Sequence, residues 1–203
     1  MNQKTLTLIE QSSNIALFLP PTPTLDALIA AEVLAQAFTG QSKHVGFPAH
    51  VSPPAHQQKH FFQALSSASP LPRELVISID TTQSPVAQLK YEKNNGSLDI
   101  VLSPKDVTIS KEHITYKTGD IQCDCAIILG GENIDSMECG EEMPPDFFTR
   151  TPLIRLHTKE QGSEKNEADY LDPEKSCLCE MTYILLSLAH QSALTEETAS
   201  LLL

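Results

Sequence analysis

The first structural signal along the chain is an unbroken apolar run that gives way to an amphipathic one. Residues 14–19 (NIALFL) show no polar alternation, which is typical of a parallel strand covered on both faces. Three prolines follow, and helical spacing of apolar residues begins at Asp26, with Thr24 as the predicted N-cap. On this helix Glu32 and Gln36 are predicted to face solvent. Strand, loop and helix predict the start of a βαβ unit, with Asp26 at the carboxyl edge of the sheet.

Further strands and helices alternate along the rest of the chain. The sequence predicts a short second strand in 42–48, a third parallel-type strand in 74–80 (ELVISID), and buried strands in 125–131 and 152–158. Helices are predicted for 56–65 and 176–190, and a last one follows Thr195. This order indicates an α/β protein with a Rossmann-like, mainly parallel sheet flanked by helices.

One segment departs from that alternation. Residues 86–91 and 98–102 flank Asn94-Asn95-Gly96, which predicts a hairpin closed by a tight primed turn. Short strand-like pieces follow at 107–110 and 113–116. We therefore predict a single α/β domain over 1–203, interrupted by a small β-hairpin insertion over 86–119.

The charge balance restricts the partners of the chain. The 203 residues contain 14 basic and 26 acidic side chains, a net charge of -12, and no segment gathers enough Lys or Arg to track a phosphate backbone. Because neutralising phosphates drives non-specific binding to nucleic acid, we expect no nucleic-acid partner beyond short oligonucleotides.

Targeting and cysteine patterns point to the cytoplasm. The N-terminal residues lack the layout of a signal peptide, and no run reaches the roughly 18 apolar residues that a membrane span requires. We therefore expect a cytoplasmic protein without a membrane partner. The five cysteines include two C-x-C pairs, a spacing that zinc sites do not favour, which predicts reduced, mostly buried thiols.

Several segments resemble the DHH phosphoesterase superfamily, on the side of its oligoribonuclease and phosphoadenosine-phosphate phosphatase members. The segment YLDPEKSCLCEMTYILL (170–186) is similar to the family's V-D-P-x-x-S-S-x-x-E-x-x-Y. The matching residues are Asp172, Pro173, Ser176, Glu180 and Tyr183. The final ETASLLL is similar to the family's A-T-x-L-L helix, and the resemblance covers nearly the whole chain as the family's N-terminal catalytic domain.

The resemblance implies a site in which acids and histidines at strand ends hold two manganese ions that activate water against a phosphoester. The family's first motif, His-x-x-x-Asp-x-Asp, falls on Pro20, Thr24 and Asp26, so one ligand of three is present. The acid expected after the next central strand falls on Gly130, and Asp-His-His falls on residues 157–159, His-Thr-Lys. The last motif acid lies beyond the end of the sequence.

The resemblance thus leaves three vestigial metal ligands, Asp26, Asp80 and His157. Two divalent cations need more oxygen and nitrogen donors than these, and Lys159 would add a positive charge beside them. Lys159 and Arg155 are the candidates for contacting a phosphate group. We expect no cofactor, and Mn²⁺ is the metal implied if the site is active.

Each of the three vestigial metal ligands also has a purely structural interpretation. Asp26 can interact with the positive end of its own helix, and Asp80 can cap the loop Thr81-Thr82. Outside the resemblance, His157 is a strand-end histidine without chemistry.

The first functional hypothesis is a degenerate DHH-like domain without enzymatic activity that serves as a binding or assembly module. The alternative is a manganese-dependent phosphoesterase that acts on short oligonucleotides or nucleoside phosphates through a remodelled site. A third interpretation uses Gly130-Gly131 as the phosphate loop of a nucleotide-binding module. The three leucines that end the sequence predict contact with a second copy or with another protein.

Overall fold

A parallel sheet forms the centre of the larger of two structural units. The computed structural model describes residues 3–48, 62–67, 70–131, 143–157, 169–171, 177–189 and 194–202. The larger unit comprises Met1–Pro72 with Ile121–Leu203, and the smaller one is Arg73–Asp120. The smaller unit thus begins before the predicted insertion of 86–119.

The described residues form nine strands and six helices. The strands are β1 (Asn14–Phe18), β2 (His44–Gly46), β3 (Arg73–Ile79), β4 (Val86–Asn94), β5 (Ser97–Pro104), β6 (Ile114–Ile121), β7 (Cys125–Leu129), β8 (Leu153–His157) and β9 (Asp169–Leu171). The helices are α1 (Gln3–Gln11), α2 (Leu25–Gly40), α3 (Gln63–Ser67), α4 (Phe147–Arg150), α5 (Leu178–Ala189) and α6 (Glu196–Leu202). Residues 56–61 of the predicted helix 56–65 lie outside the described residues, and α3 begins at Gln63.

The main sheet has the strand order β2-β1-β7-β8-β9, and every neighbouring pair is parallel. The predicted α/β class with a mainly parallel sheet is therefore confirmed. Strand β9 lies at one edge of the main sheet. It begins within a polar stretch that the sequence predicts to be a loop. Its three residues pair with the end of β8, where Leu156 lies opposite Tyr170.

The two faces of this sheet pack against different layers. On one face, Ile15, Leu17 and Ile127 contribute to the larger core, together with apolar side chains of α2 and α5. On the other face, Phe18 packs against Phe147 and Phe148, with ring centroids 5.8 and 4.9 Å apart. Burial on both faces explains why β1 and β7 are continuous apolar runs.

Helix α2 is buried almost all round, including one charged residue. The prediction that Glu32 faces solvent is wrong, because its side chain is 0% exposed. Its carboxylate accepts hydrogen bonds from the backbone N–H groups of Ala64 (2.8 Å) and Leu65 (2.9 Å), and from Gln36 Nε2 (2.8 Å). Glu32 therefore caps the first turn of α3, which satisfies N–H groups that the short helix cannot pair itself.

Two more charged side chains bind backbone groups near the start of β1. The Lys43 Nζ donates to the carbonyl oxygens of Ile9 (2.9 Å), Glu10 (3.0 Å) and Ser12 (2.6 Å) at the end of α1. The Asp124 carboxylate accepts from the N–H groups of Ser13 (2.8 Å) and Asn14 (2.9 Å). A cation at a helix C-terminus is also favoured by the helix dipole.

The smaller unit contains two separate two-stranded sheets. The prediction that 74–80 is a third strand of the main sheet is wrong, because β3 pairs with β6 instead. Asp80 N donates to His113 O, whereas Gln122 N donates to Pro72 O at the other end, so this pair is antiparallel. Leu75 in β3 is 69% exposed, so its apolar sequence does not mark a buried strand.

The predicted hairpin is confirmed as β4 and β5, which pair antiparallel from Asn94 opposite Ser97. Its turn differs from the predicted primed type, since only Gly96 of the two turn residues has a positive φ, 96°. Residues 107–110 are not a strand, and a 3₁₀ turn at Lys111–His113 precedes β6 instead.

None of the helices in the described ranges is both long enough and apolar enough to cross a bilayer.

We predict that Glu32→Gln lowers the free energy of unfolding by about 2 kcal/mol. The variant places an NH₂ group where an oxygen accepted from the α3 backbone, so a buried N–H loses its partner. Urea denaturation measures the change. The matched control is Glu10→Gln at an exposed position of α1, and equal stability of the two variants contradicts the assigned role of Glu32.

Candidate functional site

The carboxyl ends of β1, β7 and β8 form the edge at which open α/β sheets hold ligands. Asp26 follows β1 on the first turn of α2, Gly130 directly follows β7, and His157 ends β8. Because β7 lies between β1 and β8, the ends of those two strands are roughly 10 Å apart. Asp26 and His157 therefore both lie at the carboxyl edge of the sheet.

The Asp26 carboxylate binds the N-terminus of α5. Its Oδ2 accepts from Leu178 N (2.6 Å), and its Oδ1 accepts from Cys179 N (3.0 Å). The Cys179 Sγ donates in turn to the backbone oxygen of Asp26 (3.6 Å). Both carboxylate oxygens thus satisfy N–H groups of a helix that lies about 150 residues away in sequence.

The first turns of α2 and α5 also bind side chains of the residues that precede each helix, Thr24 and Cys177. Thr24 is the N-cap of α2, as predicted, because its Oγ1 accepts from Ala27 N (3.2 Å). On α5, the Cys177 Sγ accepts from Glu180 N (3.4 Å). Since Thr24 already caps α2, the Asp26 side chain is available to the more distant helix.

Gly130 occupies the position at which the family resemblance expects an acid. It has a left-handed φ of +72°, which disfavours any side chain. A Cβ built there would lie 3.4 Å from Leu178 Cδ1, at the α5 turn that Asp26 caps. This position therefore supplies no carboxylate, and its backbone conformation suits glycine.

Asp80 belongs to the smaller unit and follows β3, which is not a strand of the main sheet. Its carboxylate accepts from Thr82 N (2.9 Å) and from the Thr82 hydroxyl. These hydrogen bonds hold the pKa of Asp80 below its usual value. The geometry matches the interpretation in which Asp80 caps its own loop.

The other predicted residues lie on or after β8. Ile154 and Leu156 face the larger core, so strand alternation places Arg155 and His157 on the opposite face of the sheet from α2 and α5. Arg155 lies opposite Ile128, in the middle of the sheet rather than at its edge. Lys159, with Thr158, lies outside the described residues.

Some residues of the family-like segment 170–186 lie within the described ranges and others lie outside them. Glu180 and Tyr183 are on α5, half-buried and exposed respectively. Asp172, Pro173 and Ser176 are outside the described ranges. Leu201 and Leu202 of the terminal leucines pack partly buried against the larger core.

These residues do not fit a pair of manganese ions. Each oxygen of Asp26 already accepts a backbone N–H, Gly130 has no donor side chain, and Asp80 is bonded to its own loop. In the described part of the chain, no group of three or more His, Cys, Asp or Glu side chains is placed to hold a metal ion. Hard divalent cations require such a group.

Sequence reasoning identified Asp26 but missed its partners, Leu178 and Cys179. A signal was present at the start of α5, where the residue before the helix is Cys177 rather than Ser, Thr, Asp or Asn. A helix without a strong N-cap of its own needs an acceptor from elsewhere. The sequence does not show which distant carboxylate provides it.

Four described cysteines are free thiols, in agreement with the predicted reduced state, and Cys139 lies outside the described residues. Burial raises the pKa of Cys123 to about 11 and that of Cys125 to about 12. The pKa of Cys179 is also raised, first by burial and then by its contact with Asp26. These thiols are therefore protonated and poorly nucleophilic at neutral pH.

Comparison with known proteins supports the fold. No protein-family model and no curated protein sequence matches the chain. The chain is similar in structure to an exopolyphosphatase-related protein from Bacteroides fragilis, with a TM-score of 0.53 and 13% sequence identity. The similarity covers 99% of this chain and 48% of that one, so the chain spans about half the length of its structural neighbour. At this identity the likeness shows the fold alone.

We predict that Asp26→Ala lowers the free energy of unfolding by about 2 kcal/mol, because two N–H groups of α5 lose their acceptor. Amide hydrogen exchange should accelerate at Leu178 and Cys179 in particular. The control is Asp106→Ala, at an exposed loop position, which should leave the exchange at α5 unchanged. Unchanged protection of Leu178 and Cys179 in Asp26→Ala contradicts the capping role.

We predict that the Cys123 thiol resists alkylation in the folded chain. With a pKa near 11, about one Cys123 thiol in a thousand is a thiolate at pH 8, so iodoacetamide should react far faster in urea than in the folded chain. Mass spectrometry of peptides measures this difference.

The pH dependence of stability follows from the same shift. Because folding raises the pKa of Cys123 from 9.0 to about 11, its contribution to stability is present below pH 9 and lost as the pH rises through that interval. The loss should be smaller in Cys123→Ala. Equal alkylation rates in folded and unfolded chains contradict the assigned burial.

Proposed function

We propose that this chain is a non-catalytic relative of the DHH phosphoesterases, whose α/β scaffold serves as a binding or assembly module. The observation that carries the proposal is the pair of hydrogen bonds from Leu178 N and Cys179 N to Asp26. The one acid that remains from the family's first motif stabilises a helix terminus in this chain.

The relation to the family has two supports. The sequence contains the family-like segment at 170–186, and its fold resembles that of an exopolyphosphatase-related protein. Both concern the scaffold rather than the chemistry, because a fold hosts many functions and activity depends on the site.

The charge on Asp26 supports the loss of metal binding. A carboxylate that faces the positive end of a helix is already stabilised by the N–H groups and the dipole there. A metal at Asp26 would have to share the carboxylate oxygens with the N–H groups of Leu178 and Cys179, and would compete with them for the negative charge. The left-handed Gly130 at the neighbouring strand end provides no replacement ligand.

The overall charge supports the same proposal. A chain with a net charge of -12 repels polyphosphate and oligonucleotides unless cations offset its field at the binding site. Among the described residues at the carboxyl edge, the N-terminus of α5 is a source of positive potential, and the Asp26 carboxylate already binds it.

We predict no manganese-dependent hydrolysis of a short RNA oligomer, a simple phosphodiester or a polyphosphate by the metal-free protein after Mn²⁺ is added. The melting temperature should not change on addition of Mn²⁺, because the described residues include no group of three or more His, Cys, Asp or Glu side chains placed to hold it. Turnover that requires Mn²⁺ and disappears in Asp26→Asn would overturn the proposal and favour the phosphoesterase alternative. The matched control for that variant is Asp106→Asn, which must retain any activity detected.

A further inference from the structure

The hairpin of β4 and β5 has one apolar face. Its register places Leu89 opposite Leu102, Tyr91 opposite Ile100, and Lys93 opposite Leu98, so these six side chains share a face. Exposure on this face is high: Tyr91 75%, Leu89 61%, Leu98 60% and Ile100 46%. Apolar side chains that are this exposed and contiguous mark an interaction surface.

Within the described residues, the hairpin has no neighbouring strand. Among the strands of the described chain, β4 and β5 pair only with each other. The unit Arg73–Asp120 is described without a gap, and Ser84 is its only buried residue. Because an isolated two-stranded hairpin is at best marginally stable in water, it requires a third strand or a packed surface.

The outer edge of β4 can accept a further strand. Nine residues form this strand without proline or glycine. Asn94 and Ser97 face each other across a two-residue turn, which makes them a hydrogen-bonded pair. Because hydrogen-bonded and non-hydrogen-bonded pairs alternate along an antiparallel ladder, the N–H and C=O groups of residues 89, 91 and 93 point to the outer edge. Unpaired groups in such a row are a template for pairing with another chain.

The charges on β4 select the chain that pairs with it. Lys90 and Glu92 flank Tyr91 and project from the face opposite to the apolar one. If two copies pair antiparallel about a two-fold axis at Tyr91, Lys90 of each copy lies opposite Glu92 of the other. Opposite charges in directly facing positions stabilise a sheet, and like charges destabilise it.

Other arrangements lack this complementarity. A two-fold axis at Lys90 or at Glu92 would place two like charges against each other. On β5 the only charged residue is Asp99, so its edge offers no opposite charge to a second copy.

We propose that β4 is a homodimerisation strand, through which two copies of the chain join antiparallel about Tyr91 into one four-stranded sheet. The two apolar stripes then lie side by side, with Tyr91 beside Tyr91 of the second copy, and each hairpin gains the neighbouring strand that it lacks. This proposal goes beyond the proposed function and does not depend on it.

We predict that the full chain sediments as a dimer and that single charge reversals weaken it. Lys90→Glu and Glu92→Lys should each raise the dimer dissociation constant roughly tenfold, because each creates two like-charge pairs across the axis. The double variant Lys90→Glu/Glu92→Lys should return to the wild-type value, since the opposite charges face each other again. The control is Lys93→Glu, the same charge change at a position that faces Leu89 of the second copy.

Sedimentation velocity over a concentration series measures these constants, and circular dichroism verifies that each variant is folded. A wild-type chain that stays monomeric at its highest soluble concentration overturns the proposal. Failure of the double variant to recover the dimer overturns the register about Tyr91. A dimer lost in Ile100→Glu but unaffected by the charge reversals places the contact on the apolar face and overturns pairing through the edge.

Discussion

The contact between Asp26 and the first turn of α5 is the constraint on which the carboxyl edge of the sheet depends. It joins two helices that follow different strands and are about 150 residues apart in sequence. The carboxylate satisfies two N–H groups, and the helix terminus stabilises the negative charge in return. A residue used in this way joins the two helices and helps to hold the scaffold together.

Other charged side chains act on the same principle elsewhere in the larger unit. Glu32 binds the first turn of α3, Lys43 binds the carbonyl groups that end α1, and Asp124 binds the N–H groups before β1. Each side chain pairs with backbone groups at the end of a helix or strand that the element itself does not pair. The segments that join helices and strands are thereby fixed.

The sequence is sufficient to predict the features that depend on a local pattern of residues. The strand at 14–19, the Thr24 cap, the hairpin and the parallel core strand at Cys125 follow from apolar periodicity and turn residues, which act over a few positions. It failed where distant packing decides. Glu32 has the spacing of a solvent-facing residue, but the neighbouring α3 covers it, and the apolar run at 74–80 does not show that its partner is β6.

The sequence determines the positions of the candidate site residues only in part. Strand ends are readable in sequence, so the position of Asp26 and His157 at the carboxyl edge could be predicted. The partner of a side chain is a tertiary property, so the bonds from Leu178 and Cys179 to Asp26 could not be predicted, nor could the loop bond of Asp80 to Thr82.

The most direct test of the account is an anomalous-scattering map from crystals of the protein soaked in Mn²⁺. We predict that Asp26 stays hydrogen-bonded to the N–H groups of Leu178 and Cys179 and that no manganese peak lies at the ends of β1, β7 and β8. Two peaks bonded to the Asp26 carboxylate, with the first turn of α5 released from it, would contradict the account.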